Sequence, residues 1–326
     1  MDANGIRQWA TYYGDSINDV ARGIATDNLG NVIVVGNTGS INFPIGAAAG
    51  NFIHQGSKAG SSDAFVLKFD PAGIRLWSTY YGGTYSDGGS SVVTDGSNIY
   101  LYGDTYSDNA ISMGSVFQST LNGTAGSATG KDIFVAKFDA TGNRVWGSYA
   151  GGTNNDEAAG IEYDVVSGDL YISGSTYSNN FPSSGGHQMS LGGVYDAFLF
   201  KFSSAGQRLW ATYYGGSAFD WGSGLAIDGS GNIILSGLTA SSNPGAISSV
   251  GAYQIGFGGG VVPASYDGFI VKFDNAGTRL WSTYLGGNRG DWIIDLEVDD
   301  QDNIYAFGEW EDDDRGNYPI SPCAYQ

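Results

Sequence analysis

Five aspartates recur at one fixed place in a long period: Asp19, Asp87, Asp156, Asp220 and Asp291, each ten residues after a tryptophan. Carboxylates gathered from successive units would bind Ca²⁺ or a cationic ligand, because hard cations take several oxygens. The other reading is architectural, with each Asp accepting backbone N–H groups to fix one crossing of the chain, and repetition in every unit favours it. A second set at turn positions, Asp27, Asp95, Asp164, Asp228 and Asp299, reads as hairpin chemistry. The acidic run Glu309-Trp310-Glu311-Asp312-Asp313-Asp314-Arg315 is a candidate Ca²⁺ site, although it lacks the alternating ligands of an EF-hand loop and a solvated acidic loop suits it better. Phe43, Phe181, Tyr253 and Phe257 are candidates to stack on sugars or, since several recur, to pin loops down. His54 and His187 stand alone in separate segments, and no nucleophile motif is visible, so no catalytic residues are expected and no cofactor beyond the candidate Ca²⁺.

What positions these residues is a repeat. Trp9, Trp77, Trp146, Trp210 and Trp281 each have an Arg two residues before them and a Tyr three after. One unit reads as four strands: Ala21 to Thr26, Val32 to Val35, Asp63 to Phe69 and Ile74 to Tyr81, separated by turn chemistry such as Asp27-Asn28-Leu29-Gly30-Asn31 and Asp70-Pro71-Ala72-Gly73. The tryptophans lie 68, 69, 64 and 71 residues apart. The variation lives in one loop between the second and third strands, and the remaining length of about 44 residues is that of a four-stranded propeller blade. The expected fold is an all-β propeller with five repeats visible, spanning 1–326 as a single body, and helices are not expected. Strand faces should be buried on both sides, small residues such as Gly88, Gly89, Gly222 and Gly224 should line a crowded innermost strand, and the repeated Lys68, Lys137, Lys201 and Lys272 should pair with carboxylates between blades. The five Arg side chains are expected over Trp or Tyr faces.

The pattern Asp-Ala-Phe-x-x-Lys-Phe followed by Gly-x-Arg-Leu-Trp-x-Thr-Tyr-Tyr-Gly-Gly resembles the SBBP-type β-propeller repeat. Clear instances span 63–83, 132–152, 196–216 and 267–287, and the segments Asn180-Phe181-Pro182 and Gly186-His187-Gln188 are similar to the family as well. The resemblance implies a large secreted or cell-surface protein, notably of Bacteroidetes, where such repeats accompany type IX secretion and gliding-motility sorting domains. It implies no catalytic residue set. Residues 1–9 align with 69–77, and residues 323–326 with 251–254. The chain is therefore expected to be part of a longer protein, with residues 1–14 giving the outer strand that closes a five-bladed ring and one third strand missing; a larger ring of which this is an arc is the alternative.

In such a blade the long inserts (39–62, 106–131, 177–195 and 240–266) share a face with the crossings, where binding residues are usually mounted. The formal charge of −19 opposes nucleic acid and anionic membrane surfaces. No apolar run is long enough to span a membrane, and Cys323 has no partner for a disulfide within the sequence. The leading expectation is a non-catalytic, secreted or cell-surface scaffold that binds a protein or glycan at the insert face. The alternatives are an assembly module completed by a strand from another chain or domain and, on fold analogy alone, a hydrolase or lyase using the channel mouth.

Overall fold

The computed structural model describes residues 3–259 and 265–310. The first sheet contains β1 (Asp19–Thr26), β2 (Val32–Thr38), the two-residue β3 (Gly46–Ala47), β4 (Asp63–Phe69) and β5 (Arg75–Tyr81), in the order β1-β2-β4-β5-β3. The second is β6 (Asp87–Thr94), β7 (Ile99–Thr105), β8 (Asp132–Phe138) and β9 (Arg144–Ala150); the third is β10 (Asp156–Tyr163), β11 (Asp169–Thr176), β12 (Asp196–Ser203) and β13 (Arg208–Tyr214). The fourth is β14 (Asp220–Ile227), β15 (Ile233–Thr239), β16 (Asp267–Phe273) and β17 (Arg279–Leu285), and the fifth holds β18 (Asp291–Val298) and β19 (Ile304–Trp310). These are the four-stranded blades of a β-propeller. One short helix, α1 (Pro244–Ile247), interrupts the otherwise all-β pattern in the fourth insert. Of residues 1–14, expected as an outer strand, the described residues 3–14 form no strand.

The chain divides into two compact units, Met1–Leu170 with Phe202–Arg208, and Tyr171–Lys201 with Leu209–Gln326. In the first, alternation along β4 sends its side chains to two different clusters. Phe65, Leu67 and Phe69 join Phe43 and Tyr80, while Ala64 and Val66 join Trp77, Tyr81, Leu101 and Phe134. Period-two geometry with both faces buried explains why the whole strand is apolar apart from Asp63 and Lys68. In the second unit β16 behaves alike: Phe269, Val271 and Phe273 pack with Tyr214 and Leu235, and Ile270 packs with Ile234 and Ile293. Each such buried side chain stabilises the fold by about 1.5–3 kcal/mol. The outermost faces differ: β1 and β19 leave Ile24, Tyr305 and Phe307 exposed.

Four of the five repeated tryptophans are tied to the following repeat. Trp9, Trp77, Trp146 and Trp210 donate their indole N–H to the backbone carbonyls of Pro71, Ala140, Ser204 and Asn275, at 2.9–3.1 Å. These acceptors lie in the turn between third and fourth strands. The glycine two residues on must be left-handed and bare: Gly142 has φ 96°, and a Cβ there would press on the Trp77 ring at 3.0 Å. Successive first strands pack on one another in the same way, β1 on β6 and β14 on β18, as their small residues require.

The repeated lysines behave differently from expectation. Lys68 and Lys272 pair with Asp27 and Asp228, hairpin-turn carboxylates of their own sheets, at 2.9 and 2.5 Å. Lys137 and Lys201 also lie 5.1 Å over the rings of Tyr100 and Tyr171, and Lys201 donates to Asn275 Oδ1 at 2.5 Å. Beside Lys137 the Tyr100 hydroxyl donates to the turn carboxylate of Asp95 at 3.0 Å, whereas Ile33 and Ile234 leave Asp27 and Asp228 to Lys68 and Lys272.

Candidate binding sites at the insert face

The crossing aspartates are built into their crossings. Asp87 accepts hydrogen bonds from the Thr105 hydroxyl, from Gly83 N at 2.7 Å and from the Ser107 hydroxyl at 2.9 Å. Asp220 repeats this with Thr239, Gly216 N and Ser241, and Asp19 with Thr38, Asp15 N and Ser40. Asp156 takes Gly152 N at 2.7 Å, and Asp291 takes Gly287 N at 2.5 Å. Asp87, Asp156, Asp220 and Asp291 are buried and Asp19 is half-buried, so a ligand would have to displace these donors.

Beside each crossing sits a second carboxylate that sequence reading passed over as a strand start. Asp63, Asp132, Asp196 and Asp267 each accept the side-chain amide of a repeated glutamine, Gln55, Gln118, Gln188 and Gln254, at 2.7–3.1 Å. The glutamine carbonyl in turn accepts the crossing amide of Gly82, Gly151, Gly215 or Gly286. This clamp ties every insert to its blade. The signal was present as His54-Gln55, Phe117-Gln118, His187-Gln188 and Tyr253-Gln254, an aromatic ring before each Gln. Burial pushes Asp87, Asp132 and Asp196 up to about 7 and Asp267 to about 6, against the donors that pull them down.

Of the insert aromatics, Phe43 and Phe181 are corrected from open sugar platforms to core residues. Phe43 stacks 4.8 Å from Phe65 and Phe181 lies 4.6 Å from Phe198, because each insert folds back over its own sheet. Phe257 is half-buried against Tyr284 at 6.0 Å, and Tyr253 is 68% exposed. His54 packs against Tyr81 and Phe138, both at 5.8 Å, and burial lowers it to about 4. The Arg side chains mostly anchor inserts through carbonyls, Arg279 to Ala246 O and Arg75 to Pro44 O, while Arg144 also covers Tyr81 and Arg208 covers Phe117. Glu309 is exposed on β19, and Glu311, Asp312, Asp313 and Asp314 lie outside the described residues. Among the described residues no three His, Cys, Asp or Glu side chains gather as a metal would need.

Two cavities open where the crossings enter the first strands. The one in the first unit holds about 290 Å³ and is polar, with Arg22, Asn37, Ser90, Asp104, Lys131 and Glu157 on its walls. Register shifts next to Arg22 and Ser90 mark bulges in β1 and β6, the device that turns these two side chains into the opening. At those bulges the partner strand must carry glycine: a Cβ on Gly36 would collide with the Val20 carbonyl. Lys131 Nζ sits 3.3 Å from both Asp104 and Glu157 and 6.0 Å from the Tyr106 ring. Burial opposes its charge, but the two carboxylates win and raise Lys131; burial likewise raises Asp104, which Lys131 partly offsets. The arrangement offers donors and acceptors of both signs, suited to a hydroxylated or zwitterionic group.

The cavity in the second unit holds about 390 Å³ and is aromatic, lined by Phe219, Leu238, Tyr266, Trp292 and Glu309 with Gly290 and Asp291. It stands at the same repeat positions. Tyr266 precedes the third-strand Asp as Lys131 does, Leu238 precedes the second-strand Thr as Asp104 does, and Trp292 follows the crossing Asp as Glu157 does. Phe219 and Tyr266 meet at 6.2 Å and 59°, and Phe219 is backed by the buried Tyr195 at 4.8 Å. The rings are thus held before any ligand arrives.

With this geometry the comparisons with known proteins fall into place. Residues 8–44 match the family model described as SBBP, the beta-propeller repeat. That stretch is similar to one SBBP repeat. The chain is similar to an uncharacterized WD repeat-containing protein, L264, of Acanthamoeba polyphaga mimivirus, 24% identical over 93% of this chain and 25% of that protein. It is also similar to the regulatory protein FlaEY of Caulobacter vibrioides, 31% identical over 54% of this chain and 18% of that protein. The chain therefore spans a quarter or less of the curated relatives it matches. Among solved structures, a protein of unknown function from Bacteroides caccae superposes with TM-score 0.34 and 10% identity over 81% of each chain. A provisionally assigned gluconolactonase does so with TM-score 0.35 and 13% identity over 75% of this chain and 67% of that one.

Proposed function

We propose that this propeller is a non-catalytic binding scaffold, exported and displayed at a cell surface, whose insert face engages a protein or glycan partner. The polar cavity of the first unit carries the reading. It keeps Arg22, Asp104, Lys131 and Glu157 together at an opening while the surrounding Asp, Thr, Gln and Gly residues are spent on architecture. The crossing carboxylates Asp19, Asp87, Asp156, Asp220 and Asp291 each hold a backbone or hydroxyl donor, which supports binding over bond-breaking as the work of the face. The test is a glycan array and a surface-protein pull-down run with the native chain and with Lys131→Ala. Capture that the variant loses supports the reading, and silence in both assays overturns it. Ca²⁺ enters the same assays as an added variable, since the acidic run at 309–314 is its candidate site.

A second reading rests on β19. It pairs with β18 alone among the described residues, and its Tyr305 and Phe307 stay exposed, whereas β15 at the same place is covered by β16. Such an edge accepts a strand from another chain or domain. A peptide with the β16 sequence should raise the Tm of the chain, and an unchanged Tm counts against strand acceptance. No nucleic acid is invoked as a partner, and no helix among the described residues is long and apolar enough to cross a membrane.

A further inference from the structure

We infer that the aromatic cavity of the second unit is a receptor for an alkylammonium group, such as a quaternary ammonium or a lysine side chain presented by the partner. The inference rests on the binding-scaffold reading and supplies the chemistry of one of its contacts. Its basis is the replacement pattern between the two cavities. In the first, the fold brings its own ammonium: Lys131 Nζ stands between Asp104 and Glu157, near the Tyr106 ring. In the second, Tyr266 takes the place of that lysine, and no Lys or Arg is among the described lining residues. Space, aromatic faces and a carboxylate, Glu309, remain where the ammonium was.

The aromatic residues are not demanded by the blade. The same positions accept Ser86, Asp104, Lys131 and Glu157 in the second sheet and at the start of the third with the crossing intact. Phe219, Tyr266 and Trp292 are instead only partly covered, Trp292 being 39% exposed. Ring faces attract a cation within about 6 Å, most strongly for Trp and where water is displaced. Glu309 and the chain's net charge of −19 complete the electrostatic match to a cationic guest. A sugar would also stack on these rings, but it gains nothing from the charge.

The experiment titrates the whole chain with choline and with dimethylbutanol, its uncharged carbon isostere, by ligand-observed NMR and Trp fluorescence. Choline should bind saturably and about five- to thirtyfold more tightly than the isostere, as a cation–π contact of roughly 1–2 kcal/mol requires. Trp292→Ala and Glu309→Gln should each weaken it several-fold, Trp292→Phe should retain most of it, and Lys131→Ala should leave it unchanged. Equal binding of the isostere, preference for a monosaccharide dependent on Trp292, or no saturable binding of choline overturns the inference. If choline fails while arrays and pull-downs still respond to Lys131→Ala, the scaffold reading stands and only the alkylammonium assignment falls.

Discussion

The first-unit cavity and the second-unit cavity occupy the same repeat positions, yet one is lined by paired charges and the other by rings. Around both, the Asp–Thr hydrogen bond, the Gln–Asp–Gly clamp and the bulge next to the crossing are the same. The difference teaches that the repeat separates a frame, which every blade must keep, from a lining, which each blade is free to vary. A residue repeated in every blade is therefore a poor guide to ligand contact. The departures from the repeat are the better guide.

This separation can be attacked first at the frame. Trp77→Ala and Trp210→Ala should each destabilise by about 3–5 kcal/mol, through the lost ring and the carbonyl left without its indole donor. Denaturant melts that showed the cost in one unit only would break the equivalence of the frames. Next, Asp87→Ala and Asp220→Ala should cost about 3 kcal/mol apiece, since Thr, Ser and Gly donors lose their acceptor.

Acidity separates two carboxylate classes present in both units. Asp87, Asp132, Asp196 and Asp267 have folded pKa values raised above their unfolded value of 3.8, so the stability they lend is full below about pH 4 and is lost as pH rises through about 6–7. The turn aspartates Asp27, Asp95, Asp139 and Asp228 are lowered by their hydrogen-bond donors, against burial, which opposes this; their contribution is present above about pH 4 and lost below it. Tm should therefore peak near about pH 5 and fall toward about pH 8, and Asp132→Asn should flatten that fall. A Tm that rose steadily to alkaline pH would contradict the assignment.

Smaller effects sharpen the linings themselves. Leu238→Asp with Tyr266→Lys imports the first cavity's ammonium into the second and should cost choline at least about tenfold in affinity with the fold intact by circular dichroism. Lys131→Met should destabilise by about 1–2 kcal/mol, because it leaves the partly buried Asp104 and Glu157 without their cation.

Much of the frame was legible in the sequence because it is periodic. The Trp spacing located four complete blades, and the alternation in Asp63–Phe69 announced two buried faces. Of the two readings of Phe43 and Phe181, pinning the loops is the one the structure has, since these inserts fold back on their sheets; Met113 pairing with Gly147 and Ser184 with Ala211 are further signs of this. Lys137 lies over Tyr100, a neighbour on the adjacent strand, which no single-strand pattern reveals. The cavities were hidden for a related reason: their walls come from residues one place before or after each repeated Asp and Thr, where the repeat has no consensus.

The tryptophan contact between blades has a consequence for the history of such chains. Its acceptors are Pro71, Ala140, Ser204 and Asn275, four unlike residues that offer the same main-chain carbonyl. Because the joint reads the backbone and a bare glycine, neighbouring blades need not change in step. A duplicated or transplanted blade arrives with a joint that already fits, so such an array can be lengthened, shortened or reordered by recombination, and a pocket with new contents can be added by copying an old one.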